Sequence, residues 1–302
     1  MTTPAPAFAA SRHPISRILG AIHRHPWIWG VLFVGYAAMV TFPHTVVQFY
    51  ANEYAIHNGH AALYRLATLF VLTVAAVFSA LVFPHVVRQP QSKLVLSLWC
   101  LTLLLIVGSW SAFTGNNTEL VHYPQYFPEG VLLMALTLSP VDALTWVVVF
   151  GGLDEAYQFW CLPRSRVSLY DFNDIFMDLL GGAAGVVFAI GFLQATRRQK
   201  SDMRLDLRRQ PGLMAIGTLI SLGVILWALG LMLLVNDKSN HHYWFALGDF
   251  RAPSFWAHVL ENGPKHYHTL TPIEGCVLIL MTIGIYAWLT RKYAFTAAKQ
   301  PN

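Results

Sequence analysis

Between residues 151 and 185 the chain reads GGLDEAYQFWCLPRSRVSLYDFNDIFMDLLGGAAG. Asp154, Glu155, Gln158, Arg164, Arg166, Asp171, Asp174 and Asp178 stand in this stretch, and long apolar runs flank it on both sides. Crowded carboxylates drive one another's protonation apart, which is what a general acid and a general base require. Four acids can also hold a divalent cation against a phosphate. Arg164 and Arg166 offer planar donor forks suited to phosphate. The plain alternative is a collar of polar residues at a membrane interface, and Asp171 fits that description as well as it fits a site.

A second set of chemical groups precedes this stretch. Glu119, His122 and Tyr126 are three and four residues apart, so on a helix they form one stripe. A third set follows it. Residues 236–271 hold His241, His242, His258, His266 and His268, and imidazoles suit zinc or copper. No tight ligand motif such as His-Glu-x-x-His accompanies them, and His and aromatics are ordinary at a membrane surface. No metal is therefore assigned. Trp244, Phe245, Phe255 and Trp256 are expected to form an interfacial flap. No phosphate-binding glycine loop or serine-nucleophile motif is present, and no cofactor is indicated.

The elements that must position these groups follow from composition. The chain has 302 residues, 55% of them hydrophobic and only 12% charged, against about 25% charged in soluble domains. With unbroken apolar runs of about twenty residues, this describes membrane-spanning helices and not the alternating strands of a barrel. The expected fold is all-α, a polytopic bundle. Its spans fall at about 27–47, 61–84, 94–112, 119–138, 142–159, 172–194, 212–235 and 272–290. Ser139-Pro140-Val141-Asp142 separates the fourth from the fifth, with Ser as cap and Pro at the first helical position. Thr271-Pro272-Ile273-Glu274 starts the last span with a standard capping box. Cys100, Cys161 and Cys276 have no metal or disulfide spacing and are expected as buried thiols.

Positive charge orients the bundle. With eight spans and a cytoplasmic start, the cytoplasmic segments are the N-terminus, 85–93, 139–141, 195–211 and the C-terminus. Of the 20 Lys and Arg, only Arg65, Arg164, Arg166, Lys238, Arg251 and Lys265 lie elsewhere. Both termini are thus expected inside. The basic stretch before Trp27 reads as a signal anchor, with cleavage near Tyr50-Ala51 the alternative. The net charge of +5 reflects this orientation and does not call for nucleic acid. The chain divides into a cytoplasmic tail (1–26), two N-terminal spans (27–90), a core (91–195) and a two-span extension (196–302).

On this topology the 151–185 stretch lies at the outer face. Asp154, Glu155 and Gln158 end one span; Asp174 and Asp178 open the next. A short loop makes these spans antiparallel neighbours, and Gly181, Gly182 and Gly185 allow close helix approach. An ionised Asp in mid-membrane costs roughly 2.5–3.5 kcal/mol, so such groups are functional by default. Asp178 lies about 6 Å deeper than Asp174 by helical rise. Asp174 is therefore expected to be the working carboxylate.

The pattern resembles the VanZ-like family of membrane proteins over about residues 90–195. The resemblance rests on Asp154-Glu155-Ala156-Tyr157-Gln158, on Pro163-Arg164, and on Asp174-Ile175-Phe176-Met177-Asp178-Leu179-Leu180-Gly181. Glu119, His122 and Tyr126 fit the family's acid-His-Tyr element. Asp178 stands where the family usually has Asn, Arg166 competes with Arg164, and Pro124 and Pro128 fall in or just after the acid-His-Tyr element. The resemblance implies a multi-span protein of the bacterial cytoplasmic membrane, of a family named for teicoplanin resistance. It implies a binding set of Glu119, His122, Tyr126, Asp154, Glu155, Gln158, Arg164, Arg166, Asp174 and Asp178. Three classes of function remain open. One is recognition of an anionic envelope component, such as a lipid-linked cell-wall precursor or phospholipid head group. The second is an enzyme on such a lipid, with Asp154, Glu155, Asp174 or His122 as acid or base. The third is a proton-coupled flippase or transporter.

Overall fold

A computed structural model describes residues 13–115, 117–161, 170–197, 210–234, 243–247, 255–258 and 266–296. Ten α-helices occur among them: α1 (Pro14–Arg24), α2 (Pro26–Thr41), α3 (His44–Asn58), α4 (His60–Val86), α5 (Ser92–Phe113), α6 (His122–Thr137), α7 (Pro140–Cys161), α8 (Phe172–Phe192), α9 (Pro211–Ala228) and α10 (Pro272–Thr290). A 3₁₀ turn at Asn117–Val121 leads into α6. Each expected span overlaps a helix, but 27–47 is broken at Phe42-Pro43 between α2 and α3. Five of them (α4, α5, α8, α9 and α10) are long and apolar enough to cross a membrane. The protein is an all-α integral membrane protein.

Helix α8 is the axis of the bundle. Every residue of it is buried except Asp174. A helix apolar on all sides belongs in the middle of a large assembly, and α6, α7, α5, α10, α4 and α1 pack around it. The α6–α8 contact is the tightest. A Cβ on Gly130 would lie 1.9 Å from the Gly182 carbonyl oxygen, and one on Gly185 would lie 2.0 Å from that of Phe127. Glycine here is required by the meeting of two backbones. The small residues of α8 were expected to serve its pairing with α7; Gly181 and Gly185 serve α6 instead, and only Gly182 also faces α7, through Val147.

Caps behave as their sequences imply. The Thr271 hydroxyl accepts from the Glu274 amide and the Glu274 carboxylate accepts from the Thr271 amide. At the α6–α7 break Leu138 takes a left-handed conformation (φ 52°), and the Ser139 hydroxyl accepts from the Asp142 amide at 3.3 Å. Pro124 sits in the first turn of α6, where its missing amide proton has no intrahelical partner to lose. The span expected from 119 is therefore α-helical only from His122, after the 3₁₀ turn, and Pro128 lies inside the helix.

Several expectations need correction. Residues 14–24, expected as part of a tail, form a helix docked on the bundle, and the Ser16 hydroxyl donates to the Phe192 carbonyl at 2.9 Å. Its apolar positions, Leu19 and Ile22, are buried on one face. Residues 48–58, expected between spans, continue as helix α3. Helix α9 stops at Ala228 and not near 235. The three cysteines are free and lie on the outside of the bundle; a helix surface facing lipid accepts an apolar thiol as readily as a protein core does.

The ends expected on one face meet at one end of the bundle. Gln91 donates to the Leu193 carbonyl (2.8 Å) and accepts from the Ala195 amide (3.2 Å). The His23 ring lies 3.2 Å from the Ala135 carbonyl oxygen, and Asp142 accepts from the Gly212 amide at 2.7 Å. Strands β1 (Gln194–Arg197) and β6 (Tyr293–Thr296) pair antiparallel, with Gln194 opposite Thr296. Four further short segments, β2 (Met232–Leu233), β3 (Phe245–Ala246), β4 (Ala257–His258) and β5 (His266–Tyr267), lie in the C-terminal part, where β2 pairs with β3 and β4 with β5.

Candidate functional site

The far end of the bundle gathers the acidic residues. His122 opens α6, and its neighbour Tyr123 has its backbone pressed against Gly181 of α8. This contact sets the imidazole between two carboxylates one helical turn apart. His122 Nδ1 lies 2.8 Å from Asp178 Oδ1, and His122 Nε2 lies 3.8 Å from Asp174 Oδ2. The Asp178 side chain is wholly buried, whereas that of Asp174 is 20% exposed. The ring therefore bridges an accessible acid and an enclosed one.

Helix α7 supplies the opposite wall. Asp154, Glu155 and Gln158 are all buried. The Gln158 amide donates to Glu155 Oε1 at 2.7 Å and to Asp154 Oδ2 at 3.4 Å. The Tyr126 hydroxyl donates to Asp154 Oδ2 at 3.3 Å. Glu155 Oε2 accepts from the Asp171 backbone amide at 3.1 Å, tying the end of α7 to the start of α8. Asp171 is the cap of α8, its carboxylate accepting from the Asn173 amide at 2.8 Å. Glu119 lies in the 3₁₀ turn above, accepting from the Gly115 amide at 2.8 Å.

Eight of the ten residues expected to bind are therefore gathered at one end of α6, α7 and α8. Arg164 and Arg166 lie outside the described residues. His241 and His242 do as well, and for His258 and His266 the backbone alone is described, paired across the β4–β5 ladder. His268 is bound up in structure. Its ring stacks on Phe255 at 3.9 Å between centroids, and its nitrogens meet the Phe255 carbonyl (2.7 Å) and Glu274 Oε2 (3.2 Å). Among the described residues no group of three or more His, Cys, Asp or Glu has the geometry of a metal site. The aromatic flap is partly seen: Phe245 packs on Phe159, Trp160 and Tyr170, and Trp160 donates to the Trp244 carbonyl at 3.0 Å.

Two residues of consequence escaped the sequence reading. Asn173 donates to the Phe113 and His268 carbonyls at 2.8 and 2.9 Å and accepts from the Leu270 amide at 2.7 Å. Glu129 is 1% exposed, in the middle of α6. It lies on the stripe of His122 and Tyr126, seven and three residues on, so its position was legible; its heading was not. Chemically, the set is rich in exchangeable protons. Among the described residues, His122 pairs with both Asp174 and Asp178. Comparison with protein-family models, with curated proteins and with solved structures finds no match to this chain.

Proposed function

We propose that this is a VanZ-like protein of the bacterial cytoplasmic membrane that binds an anionic envelope component at its outer face. The component is a lipid-linked cell-wall precursor or a phospholipid head group, and its capture would alter glycopeptide susceptibility. The observation that carries this reading is the His122 bridge between Asp174 and Asp178, at the one exposed side chain of the central helix. Arg164 and Arg166, in the loop joining α7 to α8, take the phosphate. The carboxylates beneath accept from amine, amide or hydroxyl groups of the same head.

The topology behind this reading has eight spans with both termini cytoplasmic. It is supported by the contacts that bring residues 13–24, 91, 142, 193–197 and 293–296 to one end, opposite the acids. With the native cysteines replaced, a cysteine at Ser168 is expected to label from outside, and one at Ser201 only after permeabilisation. External labelling at 201 would reverse the orientation and remove the outer-face site.

Binding is read by quantifying phosphate-containing lipids retained by protein extracted in native-lipid discs. Asp174→Asn is expected to lower occupancy roughly tenfold, the loss of one charged hydrogen-bonding group. Asp178→Asn still accepts from His122 and should stay within about twofold of wild type. Equal losses from the two substitutions would show that the acids do not have separate roles. A second reading, an enzyme on a lipid-linked phosphate, is favoured by the 2.8 Å His122–Asp178 pair, since a carboxylate that orients an imidazole makes it an effective general acid or base. Release of phosphate from such a lipid, abolished by His122→Gln with lipid still bound, would select it.

A further inference from the structure

Among the described residues, three buried carboxylate oxygens have no hydrogen-bond partner: Glu129 Oε2, Asp154 Oδ1 and Asp178 Oδ2. Their residues are 1%, 3% and 0% exposed. An unpartnered buried carboxylate oxygen is costly while the group is ionised, and a proton on the carboxyl removes that charge. They also belong together. Glu129 lies within electrostatic reach of Asp178 and Asp154, from α8 and α7. Tyr126 on its own helix, already bonded to Asp154, and Tyr36 on α2 feel its charge too. The other titratable group set against this face of α6 is His23 of α1, at the Ala135 and Leu136 carbonyls, about two turns nearer the opposite end. α4 brings an apolar ring, Phe78 against Phe127. No Lys or Arg pairs with Glu129 among the described residues.

One of these oxygens is packed directly against helix backbone. A Cβ on Gly151 of α7 would lie 2.8 Å from Asp178 Oδ2. Asp178 is thus held by His122 on one side and faces a bare helix backbone on the other. His122 touches both Asp178 and the partly exposed Asp174, so the unpartnered oxygens have a route to the water at the bundle end.

We propose that Glu129 is the inner proton-binding group of this site, loaded from the outer face through Asp174, His122 and Asp178. A proton on Asp174 passes to His122 Nε2 once rotation of that exposed carboxylate closes the 3.8 Å gap. The ring then releases its Nδ1 proton to Asp178 Oδ1, 2.8 Å away. One proton has moved inward, and the ring is again neutral with its proton on Nε2. Reorientation of the ring resets it for the next transfer. The single proton is then held by Asp178, Asp154 or Glu129, whose charges act on one another. The proton is the ligand, and Glu129 lies about 10 Å along α6 from His122 by helical rise. This inference rests on the outer-face reading for its direction, and it adds that occupation of the site is linked to proton uptake.

The test uses the full chain in liposomes with the acidic end outward, and dicyclohexylcarbodiimide, which modifies protonated carboxyls in apolar surroundings. Modified peptides are quantified by mass spectrometry after stepping the external pH from about 8 to about 6. Glu129 modification is expected to rise severalfold in the wild type, to stay flat in His122→Gln, and to vanish in Glu129→Gln. Asp174→Asn, at a partly exposed position, provides the same comparison should His122→Gln fail to fold, and it too should leave Glu129 unresponsive. Absence of Glu129 modification at every pH, or an equal rise in the wild type and both relay variants, would overturn the proposal. A response to internal pH only would overturn entry from the outer face. Lipid retention is measured separately, so loss of proton loading with lipid still bound defeats this inference alone. Intact loading without lipid defeats the binding reading alone.

Discussion

Gly130→Ala should unfold this protein at a much lower temperature, although glycine to alanine in a helix ordinarily stabilises by about 1 kcal/mol. The added methyl would stand 1.9 Å from the Gly182 carbonyl oxygen, 2.7 Å from its carbon and 2.8 Å from its Cα. All three atoms are backbone, so no rotamer change relieves the overlap. The two helices must separate, and α8 is held from every other side. Overpacking commonly costs about 1–3 kcal/mol, and a clash between two backbones belongs at or above the top of that range. Separation would also stretch the His122–Asp178 contact, because the same α6–α8 seam sets it. Gly30→Ala on α2 is the control, since nothing lies within 4 Å of its added carbon. The midpoint of thermal unfolding in detergent should fall sharply for the first variant and hold or rise slightly for the second. Equal midpoints would mean that the helices are not in this register.

Asn173→Ala should cost about 3 kcal/mol or more, because it strands two carbonyls and one amide at roughly 1–3 kcal/mol each. The Asn173 side chain is the joint between the end of α5, the start of α8 and the segment 268–270 that leads into α10. Asn173→Asp should do at least as much harm as alanine. It keeps the acceptor for the Leu270 amide but turns a carboxylate oxygen toward the Phe113 and His268 carbonyls, which need donors. Hydrogen exchange at the Leu270 amide would report the release of this segment, and thermal midpoints would give its cost. An aspartate variant as stable as wild type would show that the joint is not made by the side-chain amide.

What the sequence determined by itself was whatever depends on neighbours along the chain. Apolar length located helical segments at the expected spans, though 27–47 is split between α2 and α3, since a spanning segment must satisfy its own backbone. Ser139-Pro140 and Thr271-Pro272-Ile273-Glu274 marked helix starts, because a cap acts within four residues. The spacing of Glu119, His122 and Tyr126, and of Asp174 and Asp178, put each set on one face. Composition also misled locally: residues 14–24 and 48–58 are too polar to read as spans, yet both are helical, the first docked on the bundle and the second beside α4.

Only the tertiary structure decided which faces meet. That α8 is buried but for Asp174, that its glycines serve α6 and that His122 stands between Asp174 and Asp178 all follow from contacts between helices distant in the chain. Glu129 shows the difference most clearly. Its place on the His122 stripe was visible in the spacing, but a lone acid on a helix can equally face a partner, a lipid head group or water. Its direction into the bundle, toward Asp154 and Asp178 and away from any Lys or Arg among the described residues, is set by the α6–α8 seam, where two backbones pack with no side chain between them.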